Sequence, residues 1–262
     1  MPLPSLNDWD TTRDSLHRAA QVVSAIRKAF IKPQPNALQL SLFVTPTGVS
    51  TGVLPGGNEF SVDFVDATLN YRESSGQVLR ISLEKHHQQG ALVALVSSMK
   101  TVQFQTTQLV VKGGFTDKPF EIDRKLAADY ATALFAVYSS IARFRARLLG
   151  TMTPAVIWAH GFDLSTLWFP GNNLDEQSQP HCNYGFSPGS AGFPRPYLYA
   201  YVWPRPDDLT QARLPEPARW NSEGWTGAIV DYDVIARENQ PEVVIESLLE
   251  QIHRILSSKM QP

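Results

Sequence analysis

The sequence is nearly without cysteine. Cys182 is the single one in 262 residues, so no disulfide can close within the chain. There is no Asn-x-Ser/Thr sequon either, and nothing argues for secretion. The N-terminus, Met1-Pro-Leu-Pro-Ser-Leu-Asn-Asp-Trp-Asp10, has neither the cationic nor the apolar stretch of a signal peptide. No uninterrupted apolar run approaches the ~20 residues of a membrane span. Charge of one sign is also missing. The chain carries 23 basic against 25 acidic residues, a formal net charge of −2, so no basic field draws polyphosphate. No G-x-G-x-x-G, Walker loop, H-E-x-x-H or paired C-x-x-C occurs. The expected compartment is the cytoplasm. The expected partners exclude nucleic acid and membrane, and the oligomeric state is left open.

Hydrophobic residues make up 43% of the chain, aromatics 10% and charged residues only 18%. Such a chain buries a sizeable core and does not stay disordered. The expected class is α+β, a mainly antiparallel sheet packed by two or three long helices, in one domain over residues 1–262. A first helix is expected from about Thr12 to Phe30, on the spacing of Leu16, Ala19, Ala20, Val23, Ile26 and Phe30, with Thr11 and Asp14 as a capping box. Short strands and tight turns follow from Leu38 to Leu83. His87–Met99 reads as a helix weakened by Gly90, and residues 101–111 as a strand. The clearest helix carries Leu126, Tyr130, Leu134, Val137, Ile141, Phe144 and Leu148 on one stripe, with Asp123 as its cap. Arg143, Arg145 and Arg147 near its end read as a solvated terminus rather than an anion site. Strands are expected at 155–159 and 162–169, a long loop region from Pro170 to Pro196, a covered strand at Tyr197–Trp203 and a Pro-rich connection from Pro204 to Glu223. A short strand at 227–230 and a last helix from Pro241, with Val244, Leu248, Ile252 and Ile255 in a stripe, complete the chain.

Several motifs invite chemistry. Gly48-Val-Ser50-Thr-Gly52 has the letters of a hydrolase elbow, but Val53-Leu-Pro-Gly-Gly cannot open the helix an elbow needs, so a hairpin is expected. His86-His87 reads as a solvated turn, and His17 and His253 as helix residues on the polar side. Cys182 beside His181 reads as an inert thiol before an activated one. The strongest constellation is Trp158-Ala-His160-Gly-Phe162-Asp163, at the junction of two expected strands. A histidine and a carboxylate three apart can share a hydrogen bond or a metal if Gly161 breaks the strand. His181, Asn183 and Glu223 lie in later loops able to return to the same mouth. A structural histidine holding a turn is the plainer reading, beside acid–base use and a metal.

Read in order, Trp9, the Leu16-His17 helix, Leu42-Phe-Val-Thr-Pro-Thr-Gly48 and Phe144-Arg-Ala-Arg-Leu-Leu-Gly150 form one pattern. It continues through Trp158-Ala-His-Gly-Phe-Asp163, Trp168-Phe-Pro-Gly171, Asn183-Tyr-Gly-Phe-Ser187, Pro196-Tyr-Leu-Tyr-Ala-Tyr201 and Glu223-Gly-Trp-Thr-Gly227. The pattern resembles the DUF5996 family, a domain of unknown function, over nearly the whole chain. The resemblance implies a single domain of this length and supplies no activity, substrate or cofactor. It departs at Gly161, where the family often has a second histidine, and at Asn172, where it has arginine. A site built on paired histidines would need His181 as the second ligand, making His160 and His181 the candidate metal pair.

Two readings follow. One is a small-molecule pocket, enzymatic or not, with His160, Asp163 and Glu223 as its acid–base groups. Trp158, Trp168, Asn183, Tyr199 and Trp225 would form its walls, near Trp220. The other is a non-catalytic interaction protein whose aromatics are core.

Overall fold

A computed structural model describes residues 1–98, 114–190 and 192–260. The strand expected over residues 101–111 and Met99 of the expected helix lie outside them. The described chain is α+β, and its strands pair antiparallel throughout. It divides into two compact units. Leu6–Phe135 with Ile157–Phe162 forms the first, and Met1–Ser5, Ala136–Val156 and Asp163–Pro262 form the second.

In the first unit, helix α1 (Asp10–Phe30) begins two residues before the expected start. No side chain caps it, so the Thr11–Asp14 box does not form; Arg13 bonds to Asp10 and Asp14 instead. Of the expected stripe, Leu16, Ala19, Ala20, Val23 and Ile26 are buried and Phe30 is half-buried. A 3-10 turn over Pro35–Leu40 takes the place of the expected strand start. Strands β1 (Ser41–Thr45), β2 (Gly48–Ser50), β3 (Glu59–Asp63), β4 (Thr68–Arg72) and β5 (Val78–Ser82) then form an antiparallel meander. Ser50 therefore lies in a hairpin strand, not an elbow. Gly48 is demanded by packing, because a Cβ there would sit 2.0 Å from the Val62 carbonyl oxygen. Helix α2 (Gln88–Ser98) follows. The N-terminal half of helix α3 (Arg124–Arg145) closes this core, capped by Asp123, whose carboxylate accepts from the Leu126 amide at 3.0 Å. Tyr130 on α3 packs its ring against Trp9, Phe64 and Phe162. The short strand β7 (Val156–Trp158), which follows β6 (Thr151–Met152), pairs with β1 through Ile157 and Trp158.

In the second unit, β8 (Asp163–Phe169), β9 (His181–Ser187), β10 (Tyr197–Trp203) and β12 (Gly227–Asp231) lie side by side, with β11 (Arg219–Asn221) at the edge beyond β12 and β6 on β8. Strand β9 corrects the expected long loop between Pro170 and Pro196, and β11 interrupts the expected connection from Pro204 to Glu223. Helix α4 (Tyr232–Ala236) leads into α5 (Pro241–Ser258), which packs on β9 and β10. The buried stripe of α5 is Ile245, Leu248, Leu249, Ile252 and Leu256, turned from the expected one, since Val244 and Ile255 are only half-buried. The arginines at the end of α3 do not form a merely solvated terminus. Arg143 bonds Glu246 at 2.5 Å, and Arg147 pairs with Glu246 and Glu250, tying α3 to α5.

Candidate functional site

Strand parity sorts the second unit's sheet into two faces. On one face lie Leu198, Ala228 and Val230, which meet Leu248, Leu249 and Ile252 of α5. Tyr184 belongs here too, its phenol 2.6 Å from His253 Nδ1, with Phe144 across its ring. This is the helix-covered face. Trp168 lies on it, its ring 4.7 Å from that of His253 and its indole N–H donating to the Leu149 carbonyl at 2.7 Å. Cys182, in register with Trp168, shares that face; it is buried, and burial pushes its thiol up to about 12, so it is inert as a nucleophile at neutral pH.

The opposite face carries a different chemistry. Ser165, Gly185, Tyr199 and Ile229 are cross-strand neighbours in one row, and Leu167, Asn183 and Tyr201 in the next. The Tyr199 phenol donates to Asp163 Oδ2 at 2.5 Å, and Ser165 hydrogen-bonds the same phenol. Burial, then the Asp163 charge, raises the Tyr199 phenol well above its ordinary value, so it stays protonated and donating. Asn183 Nδ2 donates to the Tyr201 hydroxyl at 2.8 Å. Its carbonyl oxygen Oδ1 is buried with no partner, in a residue only 8% exposed. Burial pushes the Tyr201 phenol up, the Asn183 bond pulls it back, and the charges of Glu176 and Asp163 add to the rise.

Tyr197, Tyr199, Tyr201, Trp225 and Phe193 pack together on this face. Tyr199 and Tyr201 lie parallel within 7°, centroids 6.5 Å apart. Trp225 stands edge-on to both, at 6.1 and 6.3 Å. Two glycines make room. A Cβ on Gly185 would sit 2.2 Å from the Tyr199 ring, and one on Gly227 would sit 2.4 Å from the Trp225 ring. Any side chain there would lift the ring off the sheet.

Of the residues expected to form a site in this unit, Asp163 and Tyr199 are bonded together, and Asn183 and Trp225 meet the same tyrosine pair. Trp168 lies on the other face. Glu223 is exposed in the turn between β11 and β12, where its backbone carbonyl accepts from Asn221. His181 is buried and stacked on Trp203 at 5.5 Å, with Nδ1 2.9 Å from the Gln179 carbonyl oxygen. Trp220 donates to the Ala212 carbonyl at 2.7 Å. In the first unit His160 is exposed, its ring 6.2 Å from that of Trp158. The turn expected at Gly161 is present, but the left-handed residue is Phe162, at φ 60°. No group of three or more His, Cys, Asp or Glu side chains suited to a metal occurs among the described residues.

Sequence reasoning missed Ser165, Tyr201, Gly185 and Gly227 as parts of this face. Period-two parity was the available signal: Asn183-x-Gly185 and Tyr199-x-Tyr201 each place alternate residues on one side. It also misplaced His17. That ring is half-buried, stacked on Phe162 within 4°, with Nε2 2.8 Å from the Ala159 carbonyl oxygen. Burial lowers its pKa. No helix among the described residues is long and apolar enough to cross a membrane. No curated protein and no solved structure matches this chain. A family model does, over residues 1–260, spanning both units, and the chain therefore belongs to DUF5996, a family of unknown function.

Proposed function

We propose that this chain binds a small organic molecule on the Asp163–Asn183–Tyr199–Trp225 face. The observation that carries the reading is the orphaned Asn183 carbonyl oxygen. A buried acceptor left unmade costs about 1–3 kcal/mol, a cost that a bound water or a ligand group relieves by supplying the partner. The surroundings support it: flat aromatic surface, a carboxylate and a serine lie on the same face of the sheet, the usual composition of a ligand site. Tyr201 and Trp225 are half-buried, so the rings retain solvent-facing edges for a ligand to reach.

A thermal-shift and tryptophan-fluorescence screen of small polar metabolites, run in parallel on the parent and Asn183→Leu, tests the reading. Hits that stabilise the parent and lose their effect in the variant are expected. Hits that stabilise both chains equally, or no hits from a broad screen, would leave the aromatics as core packing and end the proposal.

A further inference from the structure

Helix α1 carries a charge that the fold leaves unbalanced. Arg27, in its last turn, is 7% exposed. Its guanidinium is rich in N–H donors, and the structure uses few of them. Nη1 donates to the Thr51 carbonyl. Nε is sealed from water with no partner. Nη2 makes no hydrogen bond among the described residues, and it is not among the sealed atoms. Burial makes the positive charge harder to hold, and no carboxylate acts on it in return. The contrast with other arginines is direct. Arg124, Arg143, Arg147 and Arg195 are more exposed, and each has a carboxylate partner. Glu59, across from the Ser50 strand, is already taken by Ser50 and Arg72.

The surface beside Arg27 is apolar. The Phe43 ring lies 5.0 Å from its Cζ and is 37% exposed. Gly52 is fitted against the same ring, where a Cβ would sit 2.9 Å from two of its carbons. Val53, the next residue, is 66% exposed. A purely structural role accounts for part of this. The Thr51 bond uses one nitrogen, Phe43 covers one face, and the negative end of α1 offsets some of the charge. None of these occupies Nη2 or Nε, which share the edge from which arginine takes a carboxylate.

We infer that Arg27 anchors a second binding site, for a small organic carboxylate that bonds Nη2 while its apolar body lies on Phe43 and Val53. Nε, on the same edge, adds a second N–H to the field at that point. The site lies within the first unit and does not depend on the reading of Asn183. One arginine balances one negative charge, and no other charged group acts on it. Phosphate, at about −1.5 to −2 near neutral pH, is therefore matched less well than a carboxylate. The chain's net charge of −2 supplies no general attraction for anions, so binding must come from the local group.

Benzoate, benzyl alcohol and inorganic phosphate, titrated into the full chain at constant ionic strength and followed by calorimetry and thermal shift, test the inference. Benzoate is expected to bind at least about tenfold more tightly than the alcohol, as an ion pair near a surface allows, and more tightly than phosphate. Arg27→Gln is expected to bring benzoate and alcohol to equal affinity. Phe43→Ala, at an exposed position that folding tolerates, is expected to weaken both by a similar factor. Asn183→Leu is expected to leave benzoate binding unchanged. Circular dichroism confirms folding, and if Arg27→Gln does not fold, Phe43→Ala with the benzoate-to-alcohol ratio of the parent decides. Alcohol or phosphate binding the parent as tightly as benzoate would overturn the inference. Benzoate binding untouched by Arg27→Gln or Phe43→Ala would do the same, as would its loss in Asn183→Leu, which would put the probe on the other face.

Discussion

Replacing Asn183 by leucine should not weaken this protein, although it removes a buried hydrogen bond. Asn183 is 8% exposed and makes one side-chain bond, from Nδ2 to the Tyr201 hydroxyl at 2.8 Å. That bond is worth about 1 kcal/mol net. Against it stands the unpartnered Oδ1, whose burial costs about 1–3 kcal/mol. Leucine has the branching of asparagine with bulkier methyl groups, and the half-buried Tyr201 beside it can shift to take the added volume. The half-buried Tyr201 hydroxyl can turn to water when its partner goes. The balance favours leucine by about 1 kcal/mol, the pattern of a site that gives up stability for function. Urea unfolding followed by Trp fluorescence should show a raised midpoint with an unchanged slope. Tyr201→Phe supplies the counterpart. It leaves Nδ2 orphaned as well and should cost about 1–2 kcal/mol, whereas in the Asn183→Leu background it should cost almost nothing. An Asn183→Leu midpoint lowered by the equivalent of about 2 kcal/mol would mean that the amide is fully satisfied, and the argument from the orphaned oxygen would collapse.

Leu134, 1% exposed on α3, should tolerate aspartate badly, with a loss of several kcal/mol in the unfolding midpoint; a variant that melts like the parent would contradict the packing of that stripe. Gly185→Ala places a Cβ 2.2 Å from the Tyr199 ring, and thermal melting should fall by several degrees; an unchanged melt would mean that the ring is free to lift. Burial lowers the pKa of both His17 and His253, so each prefers to stay neutral when folded. Their stabilisation is therefore complete above pH 6.5 and is lost as pH falls below it, because the unfolded chain takes up the protons first. Thermal midpoints should drop from pH 7.5 to 5.5, less so in His17→Gln, and a flat profile would refute this. Duplex DNA and ATP should not bind at physiological salt, and saturable micromolar binding in a gel-shift or calorimetric titration would overturn the reading of the charge balance.

The helices were legible because their apolar stripes repeat at helical spacing. Tyr130, Leu134, Val137, Ile141 and Phe144 are all buried as that spacing requires. Strand β9 was not legible for an equally physical reason. His181-Cys-Asn-Tyr-Gly-Phe-Ser187 has only three apolar residues, all pointing to the helix side, while His181, Asn183, Gly185 and Ser187 occupy the other face. Polar side chains and a glycine on a strand look like loop until the opposing aromatic is known. Tyr199 supplies it by lying across Gly185. In α5 the expected Leu248 and Ile252 are buried, but Val243, Val244 and Ile245 are successive apolar residues and the spacing alone did not single out Ile245 as the buried one.

The segment Trp158–Asp163 singled itself out in the sequence for its histidine, yet the neighbours of that histidine carry the structural contacts. The Ala159 carbonyl oxygen meets His17 Nε2, the carbonyl of Trp158 accepts from the amides of Gly161 and Phe162, and Phe162 stacks on His17 from a left-handed backbone. A phenylalanine at φ 60° costs free energy that its own ring must offset, and here it does so against His17, Phe64 and Tyr130. Phe162 ends one compact unit and Asp163 begins the next, where it receives the Tyr199 phenol. One six-residue motif thus anchors a histidine in one unit and starts the aromatic face of the other. A sequence pattern that dense is explained without asking His160 for chemistry, whereas the pattern around Asn183, Gly185 and Gly227 has no such structural account for its orphaned oxygen.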